Sequence, residues 1–197
     1  MSMKFWVAIL LSAVFYAQSC SASQVKAQKE TKANTVEEEY VEISFNFLRG
    51  GIASSQYAIW IEDKNGKLIR TIYATPFTVK GGYAYRKEAI PTWVSKAKPK
   101  EMSAAQIDAV TGATPHNGTL NYIWDGTDDK HRQVADGIYT IYIEGTLYWN
   151  SRVTCLGKVD WGNQKQSSIP VTTYYHDSSP KNKNMITEVK MTYVVAK

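Results

Sequence analysis

From Val41 to Phe47 the chain alternates without a break: Val41, Ile43, Phe45 and Phe47 are apolar, and Glu42, Ser44 and Asn46 are polar. A period of two puts the apolar side chains on one face of an extended strand and the polar ones on the other, so this segment is half-buried β-structure. Tyr57 to Glu62 and Lys67 to Tyr73 are two further runs of strand formers. They are joined by Asp63-Lys64-Asn65-Gly66, whose Asn-Gly supplies the positive dihedrals of a hairpin turn. Leu120, Tyr122 and Trp124 alternate again. After the polar connection from Asp125-Gly126 to Asp136-Gly137, a strand over Ile138 to Glu144 reads as the second arm of a longer hairpin. Arg152 to Val159, Ile169 to Tyr175 and Met185 to Val195 bring the total to about eight strands, the number and spacing of a sandwich. Gly81 to Gly112 breaks the pattern: Pro91 opens a short helix carrying Trp93, and Ser103 with Gln106 resembles a capping box before a single helical turn. The expected fold is all-β, a single antiparallel immunoglobulin-like β-sandwich with a short helical insertion.

Composition supports that reading and removes others. Of 197 residues, 44% are hydrophobic, enough for one core, which excludes a disordered or fibrous chain. Thirteen Tyr and six Trp suit a pleated, half-buried surface. The net charge of +5 comes without a dense basic stripe or stacking motif, so no nucleic-acid partner is expected. Met1 to Lys4 is a basic leader, Phe5 to Tyr16 an apolar run, and Ala17-Gln18-Ser19 a stretch with small residues: residues 1–19 read as an export signal. The apolar run falls well short of the roughly 20 residues that cross a bilayer. Cys20 stands where bacterial lipoproteins carry their acylated thiol. Lipidation at Cys20, with attachment to the cell envelope, and plain signal-peptidase cleavage at the same place both remain open. Residues 20–39 are rich in Ser, Gln, Lys, Glu and Thr and read as a flexible tether, leaving 40–197 for the sandwich. With Cys20 acylated, Cys155 is the only remaining thiol and is expected to be buried; a Cys20–Cys155 bridge is the lesser alternative.

Reaction chemistry has little support. His116, His131 and His176 fall in loops, none at metal-ligand spacing with another His, Cys or carboxylate. Asp125, Asp128 and Asp129 lack the spacing of a calcium loop and suit a turn. There is no GxSxG elbow and no phosphate-cradling glycine loop. No catalytic and no metal-binding residues are expected. One segment stands apart: Asp108-Ala109-Val110-Thr111-Gly112-Ala113-Thr114 resembles the acceptor motif of FMN-binding domains modified by a periplasmic flavin transferase. That resemblance implies that Asp108, Thr111, Gly112, Ala113 and Thr114 form a cofactor site, with covalent FMN held as a phosphoester on Thr114. Pro115 steers Thr114 out of the helical region, presenting its hydroxyl. The residues alone also allow a structural reading in which Gly112 ends the short helix, Ala113 fits a tight corner and Thr114-Pro115 leads into the next strand.

A wider resemblance covers most of Val41 to Lys197. Ala58-Ile59-Trp60-Ile61-Glu62, the Lys67 to Tyr73 strand, Ile90-Pro91-Thr92-Trp93, the Asp108 to Pro115 segment, Trp124-Asp125-Gly126-Thr127-Asp128-Asp129, Gly137-Ile138-Tyr139 with Glu144, and Glu188-Val189 are similar to domain-of-unknown-function family 2271, the predicted periplasmic proteins. The stretch from Trp124-Asp125-Gly126 to Gly137-Ile138-Tyr139 also resembles the immunoglobulin-like module of flagellar hook-cap proteins. After the Glu144 equivalent, family members tend to carry an Arg-Glu-His-Gly-Gly-like stretch, where this chain has Trp149-Asn150-Ser151-Arg152. The resemblance implies an exported, non-catalytic accessory or interaction module near extracytoplasmic electron-transfer or iron-acquisition systems. Its implied partners are a flavin transferase and a membrane redox protein. An electron carrier with FMN esterified to Thr114 is the alternative. A carbohydrate-binding module, with Trp149 and Trp161 as a flat stacking platform, is the third.

Overall fold

The computed structural model describes residues 38–49, 55–113 and 115–196. The export signal, Cys20, the tether up to residue 37 and Thr114 lie outside the described residues. Among the described residues nine strands form two antiparallel sheets: β1 (Glu38–Phe47), β2 (Gln56–Asp63), β3 (Leu68–Ala74), β4 (Gly118–Trp124), β5 (Gly137–Tyr148), β6 (Ser151–Trp161), β7 (Ser167–Ile169), β8 (Val171–Tyr175) and β9 (Ile186–Ala196). One sheet runs β4-β1-β9-β7, the other β3-β2-β5-β6-β8. This is the expected all-β, immunoglobulin-like sandwich. Its first strand starts two residues inside the segment read as tether, because Glu38 and Glu39 pair with Ala196 and Val195 of β9.

The alternation in β1 does what its period dictates. Val41, Ile43, Phe45 and Phe47 are buried between the sheets, where they meet Tyr57, Ile59 and Ile61 of β2, Ile141 and Ile143 of β5, and Met191 and Tyr193 of β9. At one end of this core Trp124, Trp161 and Tyr193 pack in sequence, the first pair tilted and the second edge-to-face, with ring centroids 4.6 Å and 5.7 Å apart. Trp161 reaches that position because Gly126 has no side chain: a Cβ there would fall 1.9 Å from the indole. The carbohydrate platform expected of Trp149 and Trp161 is therefore not formed. Trp161 is 5% exposed and belongs to the core, while Trp149 sits on an exposed turn.

The helical insertion between β3 and β4 makes a third layer. It contains α1 (Tyr83–Tyr85), α2 (Pro91–Ala97) and α3 (Ala104–Val110), and it covers the outer face of the five-stranded sheet. Pro91 occupies the first turn of α2, where its missing N–H costs no hydrogen bond. Ser103 caps α3 with the reciprocal Ser103–Gln106 contacts of a capping box, and the helix runs seven residues, longer than the single turn expected. Trp93, Ile90, Val79 and Val110 pack on Trp60, Ala58 and Ala74, a second core separate from the first. That second core is why β2 is buried on both faces.

Three connections differ from the sequence reading. The Asp63–Gly66 turn joins β2 and β3 as expected, but only Gly66 adopts a positive φ (75°). The Asp63 carboxylate shapes the rest by accepting the Asn65 and Lys67 N–H groups at 2.9 and 3.0 Å. β4 and β5 do not form a hairpin: β4 pairs with β1, β5 with β2 and β6, and the connection from Asp125 to Asp136 crosses between sheets. The run Ile169 to Tyr175 is two strands. Pro170 has no N–H to give a ladder, and at that point the chain leaves β9 and joins β6.

Candidate functional site

The Asp108 to Pro115 segment closes the insertion. Asp108 is exposed on α3, Thr111 is the half-buried C-cap, and Gly112 and Ala113 are exposed beyond it. The Thr111 hydroxyl donates to the Ile107 carbonyl at 2.8 Å, which secures the last turn of the helix. The structural reading of Gly112 fails here. Thr111 ends the helix in an extended conformation, and Gly112 is not among the glycines with positive φ. A Cβ on Gly112 would meet the Tyr73 ring at an ordinary 3.6 Å. The fold thus needs no glycine there for dihedral or space. Beside the segment lies an open depression of about 400 Å³ lined by Ala113, Pro115, His116, Asn117 and Tyr122. Below it the rings of Tyr122, Tyr73 and Tyr57 cluster, and the Tyr57 and Tyr122 hydroxyls are 2.6 Å apart. Burial pushes the Tyr122 phenol above its usual value.

A second constellation lies on the outer face of the five-stranded sheet and was missed in the sequence. Glu144 is 0% exposed in the middle of β5. Its carboxylate accepts the backbone N–H of Trp93 at 2.9 Å and of Thr92 at 3.2 Å, satisfying two of the donors that the start of α2 leaves free. Arg152 of β6 approaches at 3.4 Å. Burial raises the Glu144 carboxyl above the usual carboxylate range, against the pull of those donors. Arg152 also donates to Nδ1 of His176 at 2.9 Å, and Nε2 of His176 lies 2.9 Å from the Thr154 hydroxyl.

A guanidinium can only donate, so His176 Nδ1 must accept and Nε2 must carry the proton. Nε2 therefore donates to Thr154 and cannot take its proton. The Thr154 hydroxyl has no base, and the chain of contacts is a structural brace instead of a nucleophile and its activator. Burial and the neighbouring Arg152 hold His176 below the usual imidazole value. The signal in the sequence was the acid itself: a Glu inside the apolar run Ile141 to Leu147 has to find donors.

The remaining candidates have local roles. Asp125 accepts from Thr127, and Asp128 pairs with Arg132 at 2.6 Å and accepts the Lys130 and Arg132 N–H groups, which are the contacts of a turn, while Asp125 pairing with Arg70 at 2.9 Å and Asp129 accepting the Thr71 N–H at 3.1 Å tie that turn to β3. His116 and His131 are exposed. Cys155 is a buried thiol, raised by burial, that accepts from the Thr173 hydroxyl. Among the described residues no cluster of three or more His, Cys, Asp or Glu is placed to hold a metal ion, and no helix is long and apolar enough to cross a membrane.

The family described as "Predicted periplasmic protein (DUF2271)" matches residues 38–177. No curated protein matches the chain. Two crystal structures of truncated FlgD from the human pathogen Helicobacter pylori, both monoclinic forms, match at 16% identity, covering 78% of this chain and 82% of theirs, with a TM-score of 0.33.

Proposed function

The chain belongs to the predicted periplasmic protein family DUF2271, and on that premise we propose that it is an exported, non-catalytic accessory module of an extracytoplasmic redox or iron-acquisition system, carrying FMN esterified to Thr114. The observation that carries the flavin reading is Gly112. It is a glycine that neither dihedral nor packing requires, inside a motif whose small residues admit another enzyme's cleft. Asp108, Gly112 and Ala113 are exposed, and the depression beside Ala113 with Tyr122 at its wall offers an aromatic surface to a planar ring. The residues present therefore suit the group. Thr114 would hold it, Pro115 would keep that residue extended, and Thr111 fixes the helix end from which the segment departs. Bound FMN would supply one- and two-electron redox chemistry, and covalent attachment keeps it from being lost by dilution outside the cytoplasm. A flavin transferase and a membrane redox protein are the partners of this reading, and a lipid on Cys20 would keep the module near the latter.

Coexpression with a flavin transferase tests it. The expected product is yellow, keeps its fluorescence through denaturation, and gains the mass of one FMN less one water, the threonyl proton and the leaving group of the flavin donor having departed, all lost in Thr114→Ala. A colourless product beside a transferase that labels its own known target overturns the carrier and leaves the passive interaction module. The same intact-mass measurement on protein from its native envelope reports acyl chains on Cys20.

A further inference from the structure

Arg86 is a buried cation whose hydrogen-bonding capacity is met only in part among the described residues. It follows α1 and is 5% exposed. Its Nη2 donates to the Trp149 carbonyl at 2.8 Å, and the Trp149 indole lies over the guanidinium, 5.4 Å from Cζ to the ring centroid. Nε and Nη1 are buried with no hydrogen-bond partner, and none of the ion pairs among the described residues includes Arg86. Arginine cannot shed its proton to escape such a site, so the two donors need lone pairs from elsewhere.

Trp149 occupies the two-residue turn between β5 and β6, where its φ of +35° has the sign that a two-residue hairpin connection requires. The turn sets the indole beside Arg86 at the end of the ladder.

We propose that Arg86 anchors a binding site for a small oxyanion, a carboxylate or phosphate group, and that Trp149 is its displaceable cover. An oxyanion supplies the lone pairs that Nε and Nη1 lack and a direct countercharge, which the Glu88 carboxylate, felt only through space, does not give. Swinging the indole away costs its contact with the guanidinium, which the charge-assisted bonds to the ligand replace. A neutral ligand provides neither charge nor compensation. The site shares no residue with the Asp108 to Thr114 segment and stands apart from the flavin reading.

The test is calorimetry on the exported chain with inorganic phosphate and, separately, with acetate, at ionic strength held constant with chloride. Trp149 emission is followed in parallel, since the other described tryptophans are buried. Saturable binding in the millimolar range with a change in emission is expected, and the stronger of the two arms identifies the ligand class. Arg86→Met should weaken it at least tenfold. Trp149→Gly, which fits the turn and removes the cover, should tighten it at least threefold. Heats that chloride reproduces, or an Arg86→Met protein that binds like the parent, overturn the site. If Arg86→Met does not fold, Arg86→Lys, which keeps the charge but loses the planar fork, is read by the same tenfold criterion. An unchanged affinity in Trp149→Gly overturns the cover.

Discussion

Replacing Glu144 with glutamine keeps the shape of the side chain and removes half of its accepting capacity. In the parent the carboxylate serves the Trp93 N–H at 2.9 Å, the Thr92 N–H at 3.2 Å and Arg152 at 3.4 Å, all donors. Glutamine offers one oxygen to these three and turns an NH2 group against the rest. The Trp93 N–H is fully buried, and leaving such a donor unpaired costs about 1–3 kcal/mol. The Thr92 N–H and Arg152 are partly reached by water, and Arg152 keeps Thr92 Oγ1 and His176 as partners, so their losses are smaller. Against this stands a gain, because the buried carboxylate, already raised by desolvation, no longer has to be ionised. The balance is a loss of about 1.5–3 kcal/mol. Glu144→Ala leaves both backbone donors and a cavity, and should cost about 3–5 kcal/mol. Urea unfolding at pH 7 followed by tryptophan emission reads both: with a slope of about 2 kcal/mol/M, the glutamine midpoint falls by roughly 1 M. The pH dependence carries its own sign. A carboxyl raised in the fold binds its proton more tightly there than in the unfolded chain, so its contribution is complete below the unfolded value and is lost as pH rises through the folded one. Glutamine should abolish that part of the profile. A Glu144→Gln midpoint equal to the parent's at pH 7 would falsify the assignment of this carboxylate as the anchor of α2.

Two further outcomes follow from neighbouring geometry. His176 is lowered in the fold, so stability is complete above the usual imidazole value and falls as pH drops through the depressed one; His176→Gln should flatten the urea midpoint between pH 7 and pH 5, and an unchanged slope would count against the Arg152–His176–Thr154 brace. Gly126→Ala forces a Cβ against the Trp161 indole at a residue with φ of +71°, and should cost about 2–4 kcal/mol by calorimetric melting; a neutral result would mean that Trp161 has room to move.

Strand positions were legible because a period of two records which face each side chain takes. It does not record which sheet the strand joins. Leu120 to Trp124 and Ile138 to Glu144 carry the pattern of a hairpin, and the polar loop between them has the same residues whether it turns back or crosses over. Trp161 alternates with polar neighbours just as an exposed platform would; its burial depends on the missing side chain of Gly126, 35 positions away. Pro170 was the one visible warning in the Ile169 to Tyr175 run. The Glu144 constellation escaped because its partners come from α2, β6 and the residue after β8, which only the pairing register brings together: Glu144 faces Thr154, and Thr146 faces Arg152. Arg86 and Trp149 escaped for the same reason. The Asp108 to Thr114 motif was legible since its meaning lies in contiguous residues.

The features offered as sites belong wholly or partly to the insertion, whose helices of seven residues or fewer are too short to stand alone. They form only against the outer face of the five-stranded sheet, where Trp93 fills the centre of the second core. It is 0% exposed, packs with Trp60, Ile90 and Val79, and donates its indole N–H to Thr71 at 3.2 Å. Trp93→Ala removes that packing and should cost about 3–5 kcal/mol. Because the two cores share no buried residue, the loss should fall on the insertion first, as a local opening that leaves the sandwich closed. Amide exchange distinguishes the cases. Local opening strips protection from residues 78–112 while β1, β5 and β9 keep theirs. An equal loss across both sets would mean that the layers unfold as one unit, and that the exposed residues Gly112 and Ala113 are held as firmly as the core beneath them.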